Sequence, residues 1–360
     1  MRRLLASLLV LGISAAACGS SGSSPGASPS GGAPSSPPPA TGAEASPTPT
    51  PGGRLVVYSG RSEELVGPLI EQFEKETGIE VEVRYAGTSE LAATLLEEGA
   101  NSPADVFFAQ DAGALGAVAK AGLSATLPAE ILDRVDPRFR SPQGTWVGVS
   151  GRVRVAVYDS RELGPEDLPS SVLGFTDPAW KGRIGWAPTN ASFHSFVTAL
   201  RVLRGEEAAR SWLEGMLANE PRAYEGNSQA LQAVAAGEID VALVNHYYLM
   251  RQLAEAGSDY PVRNHFFGAG DPGSLVNVAG AALLTTSKNR PAAEAFVAFL
   301  VGAEAQRYFA EKTFEYPLVP DVPAPAGLPA LADLEAPAID LSDLADLEGT
   351  LELLREVGVL

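Results

Sequence analysis

The order of strand-like and helical segments after residue 53 is the feature that most restricts how this chain can fold. Amphipathic helical segments follow each of three short strand-like segments, which cover residues 54–58, 79–85 and 104–108. Ser89 stands where it can cap the second of these helices. A βαβαβα order of this kind predicts a largely parallel sheet with helices packed on it.

A second α/β unit follows further along the chain. Its strand-like and helical segments cover residues 183–186, 193–203, 206–219, 227–236 and 241–244. Two longer apolar segments, residues 146–158 and 275–284, are long enough to run from one unit into the other. Two α/β domains joined by two crossing strands are the plan of periplasmic substrate-binding proteins, the Venus-flytrap fold. In that fold the ligand binds in a cleft that closes by a hinge motion.

The predicted domain boundaries follow from the two crossing strands. Domain 1 comprises residues 54–150 and 277–325, and domain 2 comprises residues 151–276 and 326–360. Apolar residues at helical spacing predict one amphipathic helix over residues 291–309 and a last helix over residues 351–357.

The first 53 residues have the composition of a targeting segment followed by a tether. Two arginines precede an apolar stretch, residues 4–17, which is too short to span a bilayer and ends in small residues before Cys18. This pattern predicts a lipoprotein signal over residues 1–17, with lipid on the Cys18 thiol; a plain secretory signal is the alternative. The Ser-, Gly- and Pro-rich residues 18–53 predict a disordered tether. The mature protein is therefore expected outside the cytoplasm, anchored to the cell membrane through Cys18.

Charge and motif content argue against several classes of function. The chain has 26 Lys and Arg against 44 Asp and Glu, a net charge of -18, which disfavours nucleic acid or an anionic membrane surface as a partner. Its one cysteine excludes an intramolecular disulfide. The sequence has no Gly-x-Ser-x-Gly motif and no phosphate-binding loop, so an enzyme is not expected. A monomeric binding protein is expected instead.

Two adjacent tyrosines stand where a predicted buried strand ends. The apolar run 241–244 is followed by Asn245, His246, Tyr247 and Tyr248. Ligands of open α/β folds bind outside the carboxyl ends of the strands, which makes the tyrosines candidate ligand groups. An aromatic cluster packed on a neighbouring helix is the alternative. None of the three histidines is expected to be a metal ligand, since the chain lacks the ligand clusters of zinc-type sites.

Seven short motifs occur along residues 54–360 in the order of one known family. They are Tyr58-Ser59-Gly60-Arg61, Thr77-Gly78-Ile79, Pro103-Ala104-Asp105-Val106-Phe107, Ser150-Gly151-Arg152-Val153-Arg154, Gly237-Glu238-Ile239-Asp240, Asn245-His246-Tyr247-Tyr248 and Glu315-Tyr316-Pro317-Leu318. In these motifs the chain resembles bacterial ferric-ion-binding proteins, the substrate-binding subunits of iron(III) ABC importers. The tyrosine pair combined with the later Tyr-Pro-Leu is the most specific part of the likeness. The resemblance implies an extracytoplasmic receptor that captures Fe(III) and hands it to a membrane ABC permease.

The resemblance also implies the iron ligands and an anion site. In the family the adjacent tyrosines bind Fe(III) as phenolates, which implies this role for Tyr247 and Tyr248. Fe(III) favours anionic oxygen donors, and a bound cation displaces the phenol proton, so affinity should fall in acid. A small anion, carbonate or phosphate, completes the coordination. Its contacts map to two predicted helix N-termini and one strand end, where ordinary helix capping is the alternative: Thr189, Asn190, Ala191, Ser192, Asn227 and Asn245.

The chain departs from the family at several ligand positions. Where some members have a His and a Glu ligand, this sequence has Ser62 and Gln110, and Asn190 stands where others have a third Tyr. Anions and water are expected to fill the remaining positions, with Arg61 as a candidate partner of an anion or else a surface charge.

Two further interpretations concern the hinge and the ligand. Arg152 and Arg154 are interpreted as hinge-region ion pairs. The competing function is a binding protein of the same fold for an organic or oxyanion solute, with Tyr58, Tyr247 and Tyr248 as stacking walls.

Overall fold

A sheet of ten strands runs through the computed structural model, which describes residues 53–360. Cys18 and the predicted signal segment and tether lie outside the described residues, apart from Gly53. The strands are β1 Arg54–Ser59, β2 Glu80–Tyr85, β3 Val106–Ala109, β4 Val147–Asp159, β5 Ile184–Trp186, β6 Arg222–Ala223, β7 Val241–Asn245, β8 Val262–His265, β9 Val276–Leu283 and β10 Tyr316–Pro317.

Helices cover the faces of this sheet. They are α1 Glu63–Thr77, α2 Thr88–Glu98, α3 Ala112–Lys120, α4 Ala129–Leu132, α5 Ala191–Arg204, α6 Glu206–Ala218, α7 Asn227–Ala235, α8 Tyr247–Ala256, α9 Arg290–Leu300, α10 Ala303–Tyr308 and α11 Leu347–Val357. The first helix shows why: Val66, Leu69, Ile70 and Phe73 form one buried stripe, and Gly78 ends the helix in the left-handed conformation at φ 70°. No helix within residues 53–360 combines the length and the apolar character that crossing a membrane requires.

The strands follow the order β2-β1-β3-β9-β4-β7-β5-β6, with β8 and β10 also paired to β4. As predicted, β1 pairs in parallel with β2 and β3. Strand β5 also pairs in parallel with β7 and with the short β6, which the sequence did not predict. The centre differs from the prediction, because β9 is antiparallel to both β3 and β4, and β4 is antiparallel to β7. A parallel pattern therefore describes the two ends of the sheet and not its middle.

Strand β4 joins the two halves of the molecule. Its residues 147–153 pair with β9, whereas residues 154–158 pair with β7. Strand β9 begins after the turn Pro272–Ser274, which packs near α5 on the other half. We call strands β1, β2, β3, β9 and β10 with helices α1, α2, α3, α9 and α10 lobe 1. We call strands β5 to β8 with helices α5 to α8 lobe 2. The space between the lobes is the cleft.

Two local predictions are wrong. The N-cap of α2 is Gly87, and Ser89 lies inside the first turn of that helix. The single helix predicted over residues 291–309 is broken into α9 and α10, because Gly302 takes an extended conformation at φ -81° and ψ 155°. A π-helical turn, Phe309–Thr313, follows α10 and ends at Phe314, whose φ of 58° is left-handed.

The C-terminal segment contacts both lobes. The turn Leu341–Ala345 packs on α3, and α11 packs on α5 and α6, where Leu353 and Leu354 enter the core. The Thr350 hydroxyl of α11 is hydrogen-bonded to Thr198 at 2.7 Å.

Candidate functional site

Tyr247 and Tyr248 are the first two residues of α8 and come directly after β7 and His246. They therefore lie at the carboxyl end of a buried strand, as the sequence predicts. Their rings are stacked, with centroids 4.4 Å apart and planes 27° from parallel. Burial, and then the neighbouring Tyr248, raise the pKa of Tyr247 above its usual value. The structure thus holds two phenols side by side, an arrangement that offers paired oxygen donors to a hard cation.

His246 is fully buried beside this pair. Its Nδ1 accepts a hydrogen bond from the Val153 amide at 3.1 Å, so its protonated nitrogen is Nε2, which donates to the Phe314 carbonyl at 2.8 Å. Burial lowers the pKa of His246 to about 4, which keeps the ring neutral at neutral pH. With both nitrogens engaged, this ring has no lone pair to give to a metal.

The predicted anion contacts at two helix N-termini come together in lobe 2. Asn190 is the N-cap of α5, and its Oδ1 accepts hydrogen bonds from the Ser192 amide at 2.9 Å and hydroxyl at 2.7 Å. Asn227, the first residue of α7 and 1% exposed, donates from Nδ2 to the Ser192 hydroxyl at 3.1 Å. Helix N-termini carry unpaired amides and a positive dipole end, so their convergence favours a small anion nearby.

Two arginines line the same region. The sequence predicted that both form ion pairs. Arg152 and Arg154 are two residues apart on β4 and share a face, opposite Asn277 and Asn245 of the neighbouring strands. Neither has a carboxylate within ion-pair distance in the part of the chain that the structure describes. Their interpretation as hinge-region ion pairs is therefore wrong. The physical reason is that strand alternation gives the face of a residue and not its distant partners.

The contacts of these arginines leave positive charge facing the cleft. Arg152 donates to the Gln110 carbonyl, and Arg154 donates to the Leu243 carbonyl at 2.9 Å and the Ser192 hydroxyl at 3.3 Å. Both guanidinium groups keep a buried Nε without a hydrogen-bond partner among residues 53–360. Burial lowers the pKa of Arg154 to about 9, and both tyrosines of the pair oppose this shift. A buried guanidinium without a carboxylate at ion-pair distance is costly, which favours a bound anion here.

A small cavity of about 20 Å³ is lined by Arg152, Arg154 and Ser192 among other residues. Its lining comes from both lobes and from the crossing strands: Gln110, Asp111, Arg152, Arg154, Ala191, Ser192, Ser195, Asn245, Leu275 and Asn277. A volume of this size accommodates one or two water-sized groups, which suits a small ion better than an organic solute.

Asp111 contributes the carboxylate that lines this cavity. It was not predicted from the sequence as a site residue. It caps α3 by accepting a hydrogen bond from the Ala114 amide at 3.0 Å, and burial raises its pKa while Arg152 opposes that rise. It directly follows Gln110, the position where some ferric-ion-binding proteins have their Glu ligand. The rule that ligand groups lie just after the carboxyl ends of strands singled out the tyrosines. The same rule could have identified Asp111.

The remaining predicted residues are not all at the cavity. Gln110, Ala191, Ser192 and Asn245 line it. Tyr247, Tyr248, Asn190 and Asn227 are not among its lining residues, and neither are Ser62 and Thr189, which are exposed. Arg61 is 3% exposed and forms an ion pair with Glu315 at 2.8 Å, so its charge is already neutralised. No group of three or more His, Cys, Asp or Glu side chains comes together within residues 53–360.

Comparison with known proteins gives a consistent set of relatives. Residues 101–340 match the family model of bacterial extracellular solute-binding proteins. The major ferric iron-binding protein of Neisseria meningitidis is 40% identical over 308 residues, which cover 85% of this chain and 93% of that protein.

Solved structures agree on the fold. Iron-bound HitA from Pseudomonas aeruginosa is 38% identical and superposes with a TM-score of 0.79, covering 85% of this chain and 99% of HitA. A Trichodesmium FutA structure in complex with iron and citrate is 29% identical, with a TM-score of 0.73 over 85% of this chain and 99% of that one. These matches confirm the predicted α/β fold of two domains around a ligand cleft.

Proposed function

Since the chain belongs to the family of bacterial extracellular solute-binding proteins, we propose that it captures Fe(III) in its cleft outside the cytoplasm and delivers it to a membrane ABC permease. Family membership agrees with the resemblance carried by its motifs. The observation that carries the ferric assignment is the stacked tyrosine pair at the carboxyl end of β7, with ring centroids 4.4 Å apart. The names of the Neisseria and Pseudomonas relatives support the same ion.

Tyr247 and Tyr248 are the proposed protein ligands, and each binds the ion through its phenolate oxygen. Two phenolates neutralise only part of the charge of Fe(III), so further anionic oxygen is needed to complete the shell. Asp111 and Gln110 line the cavity on the lobe 1 side, and Asp111 is the candidate that brings an anionic oxygen. Ser62 is exposed and Arg61 is paired, so neither belongs to the proposed set.

A small anion, carbonate or phosphate, is the proposed second ligand. Its positive partners are Arg152 and Arg154, each with an unpartnered buried Nε among the described residues. Ser192, Asn190 and Asn245 supply the polar rim at the N-terminus of α5 and the end of β7. The relative from Trichodesmium is in complex with both iron and citrate, which supports an anion as a second ligand.

The two lobes are proposed to act as the two domains of a hinge. Strand β4 and the entry to β9 are the segments that connect them, near the boundaries at residues 150 and 277 that the sequence suggests. Cavity residues come from both lobes, so separating the lobes opens the site to solvent and bringing them together encloses the ion.

Titration of the metal-free protein with ferric citrate tests this function. We expect a visible absorption band from phenolate-to-iron charge transfer, and a smaller radius of gyration by small-angle scattering in the loaded protein. Binding should release about two protons, because the phenols must ionise, so affinity should fall steeply as the pH is lowered. A colourless complex, or binding that does not weaken in acid, would contradict phenolate ligation.

We further propose that Cys18 carries lipid and holds the protein at the cell membrane. The support is the sequence alone, an apolar run that ends in small residues directly before the cysteine. In Cys18→Ala the protein is expected to move from the membrane fraction to the soluble extracytoplasmic fraction. Unchanged membrane retention of that variant would refute the anchor.

A further inference from the structure

His246 connects the candidate ligand pair to the other lobe. Its Nε2 donates to the Phe314 carbonyl at 2.8 Å, and its Nδ1 accepts from the Val153 amide at 3.1 Å. Its own amide donates to the Val153 carbonyl at 3.0 Å. Val153 belongs to the crossing strand β4, and Phe314 lies just before β10 of lobe 1. One ring thus ties the start of α8 in lobe 2 to the hinge and to lobe 1.

The lobe 1 side of this link is held in place by buried groups. Phe314 has a left-handed φ of 58°, a conformation that a side chain with a β-carbon disfavours. The next residue, Glu315, is 1% exposed and accepts hydrogen bonds from Arg61 at 2.8 Å, Ser150 at 2.9 Å and Thr313 at 3.2 Å. These contacts fix the turn, and with it the direction of the Phe314 carbonyl.

The ring also contacts aromatic neighbours on both sides. Its centroid is 5.9 Å from that of Tyr247 and 4.9 Å from that of Tyr316, the first residue of β10. A shift of the His246 ring would therefore move against Tyr247 directly, because close-packed interiors transmit displacement. The motifs around residues 245–248 and 315–318 meet at this point.

We propose that His246 is a positioning residue: it sets the orientation of the tyrosine pair relative to lobe 1 and so slows the release of bound Fe(III). This inference rests on the proposed ferric role of Tyr247 and Tyr248. Packing alone would need only a ring of this size. The geometry instead uses one donor and one acceptor, each aimed at a backbone group of a different segment.

The test compares variants that differ in the hydrogen bonds that the side chain at position 246 can make. His246→Phe keeps the ring volume and removes both side-chain hydrogen bonds. We expect its ferric complex to lose iron to excess citrate about tenfold faster or more, the size of effect that a buried hydrogen bond produces. The charge-transfer maximum should also shift. His246→Gln, which offers a donor and an acceptor, is expected to restore slow release, whereas the shorter His246→Asn is not.

His265→Phe is the matched control. The His265 Nε2 donates to the Pro169 carbonyl at 2.9 Å within lobe 2, so this variant loses a comparable hydrogen bond away from the tyrosines. Its release rate and absorption band are expected to match those of the parent, even where its melting temperature falls.

The outcomes separate the positioning role from the ferric role. If His246→Phe does not fold, the comparison of His246→Asn with His246→Gln tests the positioning role. That role then requires His246→Asn to release iron faster than His246→Gln. Equal release rates and an unmoved band in every folded His246 variant would overturn that role, provided Tyr247→Phe weakens ferric binding as expected. If Tyr247→Phe binds iron as the parent does, Tyr247 is not a ferric ligand, and the premise of the positioning role fails with it.

Discussion

Tyr247→Phe and Tyr248→Phe are each expected to weaken ferric binding by more than about a hundredfold, because each removes a ligand oxygen from the metal and not merely an outer contact. The visible band should shift in either single variant and disappear in the double variant. Phe keeps the ring, so the 4.4 Å stacking of the pair can persist. Isothermal titration with ferric citrate and absorption spectra of the same samples measure both effects.

The fold should survive these changes. The Tyr247 hydroxyl is hydrogen-bonded to the side chain of its neighbour Tyr248, and losing one such bond between two hydroxyl groups costs little stability. Melting temperatures of the variants should therefore stay near that of the parent. Tyr260→Phe serves as the control, since Tyr260 is a half-buried tyrosine near β8 in lobe 2. Parent-like affinity and colour in the double variant would rule out phenolate ligation.

Local patterns predicted much of the fold. Apolar alternation and helical spacing located most strands and helices, including the long β4 over Val147–Asp159 and the strand β9 over Val276–Leu283. The antiparallel centre of the sheet could not be predicted in this way. Strand β4 pairs with β9, which is more than a hundred residues further along the chain, and no local pattern specifies such a partner.

The candidate site was partly predictable for a related reason. The strand-end rule singled out Tyr247 and Tyr248. The family resemblance implied Asn190 and Asn227, and helix-start signals, which are local to their own elements, agree with that implication. The role of Arg154 at the cavity was not predicted, because a charged residue in a buried strand suggests an ion pair. Only the tertiary structure shows that no carboxylate among the described residues forms an ion pair with it.

The second large effect is expected from replacing Arg154. The side chain is 3% exposed, and burial lowers its pKa to about 9, so its charge is destabilised in the metal-free fold. Phe193 and Phe196 lie under the guanidinium, 5.8 and 5.5 Å from their ring centroids, and soften this cost without supplying a full counter-charge. An anion in the cavity would supply one. The same residue should therefore cost stability in the empty protein and contribute affinity in the loaded one.

Arg154→Met tests whether this residue lowers the stability of the empty protein and raises the anion affinity. Met keeps much of the side-chain volume without the charge. The metal-free variant is expected to be as stable as the parent or more stable, because a buried charge is removed. In the parent, the melting temperature should rise with added bicarbonate or phosphate as anion binding favours the folded state, and the variant should respond far less. Its ferric affinity in bicarbonate should fall by at least about tenfold, the cost of a lost buried charge contact.

The pH dependence follows from the same group and has a definite sign. Below a pH of about 9 the Arg154 guanidinium carries its proton and attracts the anion, and above it the charge is progressively lost. The anion-dependent rise in melting temperature of the parent should therefore shrink as the pH passes through about 9. Arg183→Met, which removes a partly exposed arginine paired with Asp240 at 2.5 Å, is the control and should keep the full anion response. If Arg154→Met still responds to bicarbonate and phosphate as the parent does, the anion does not bind at this arginine.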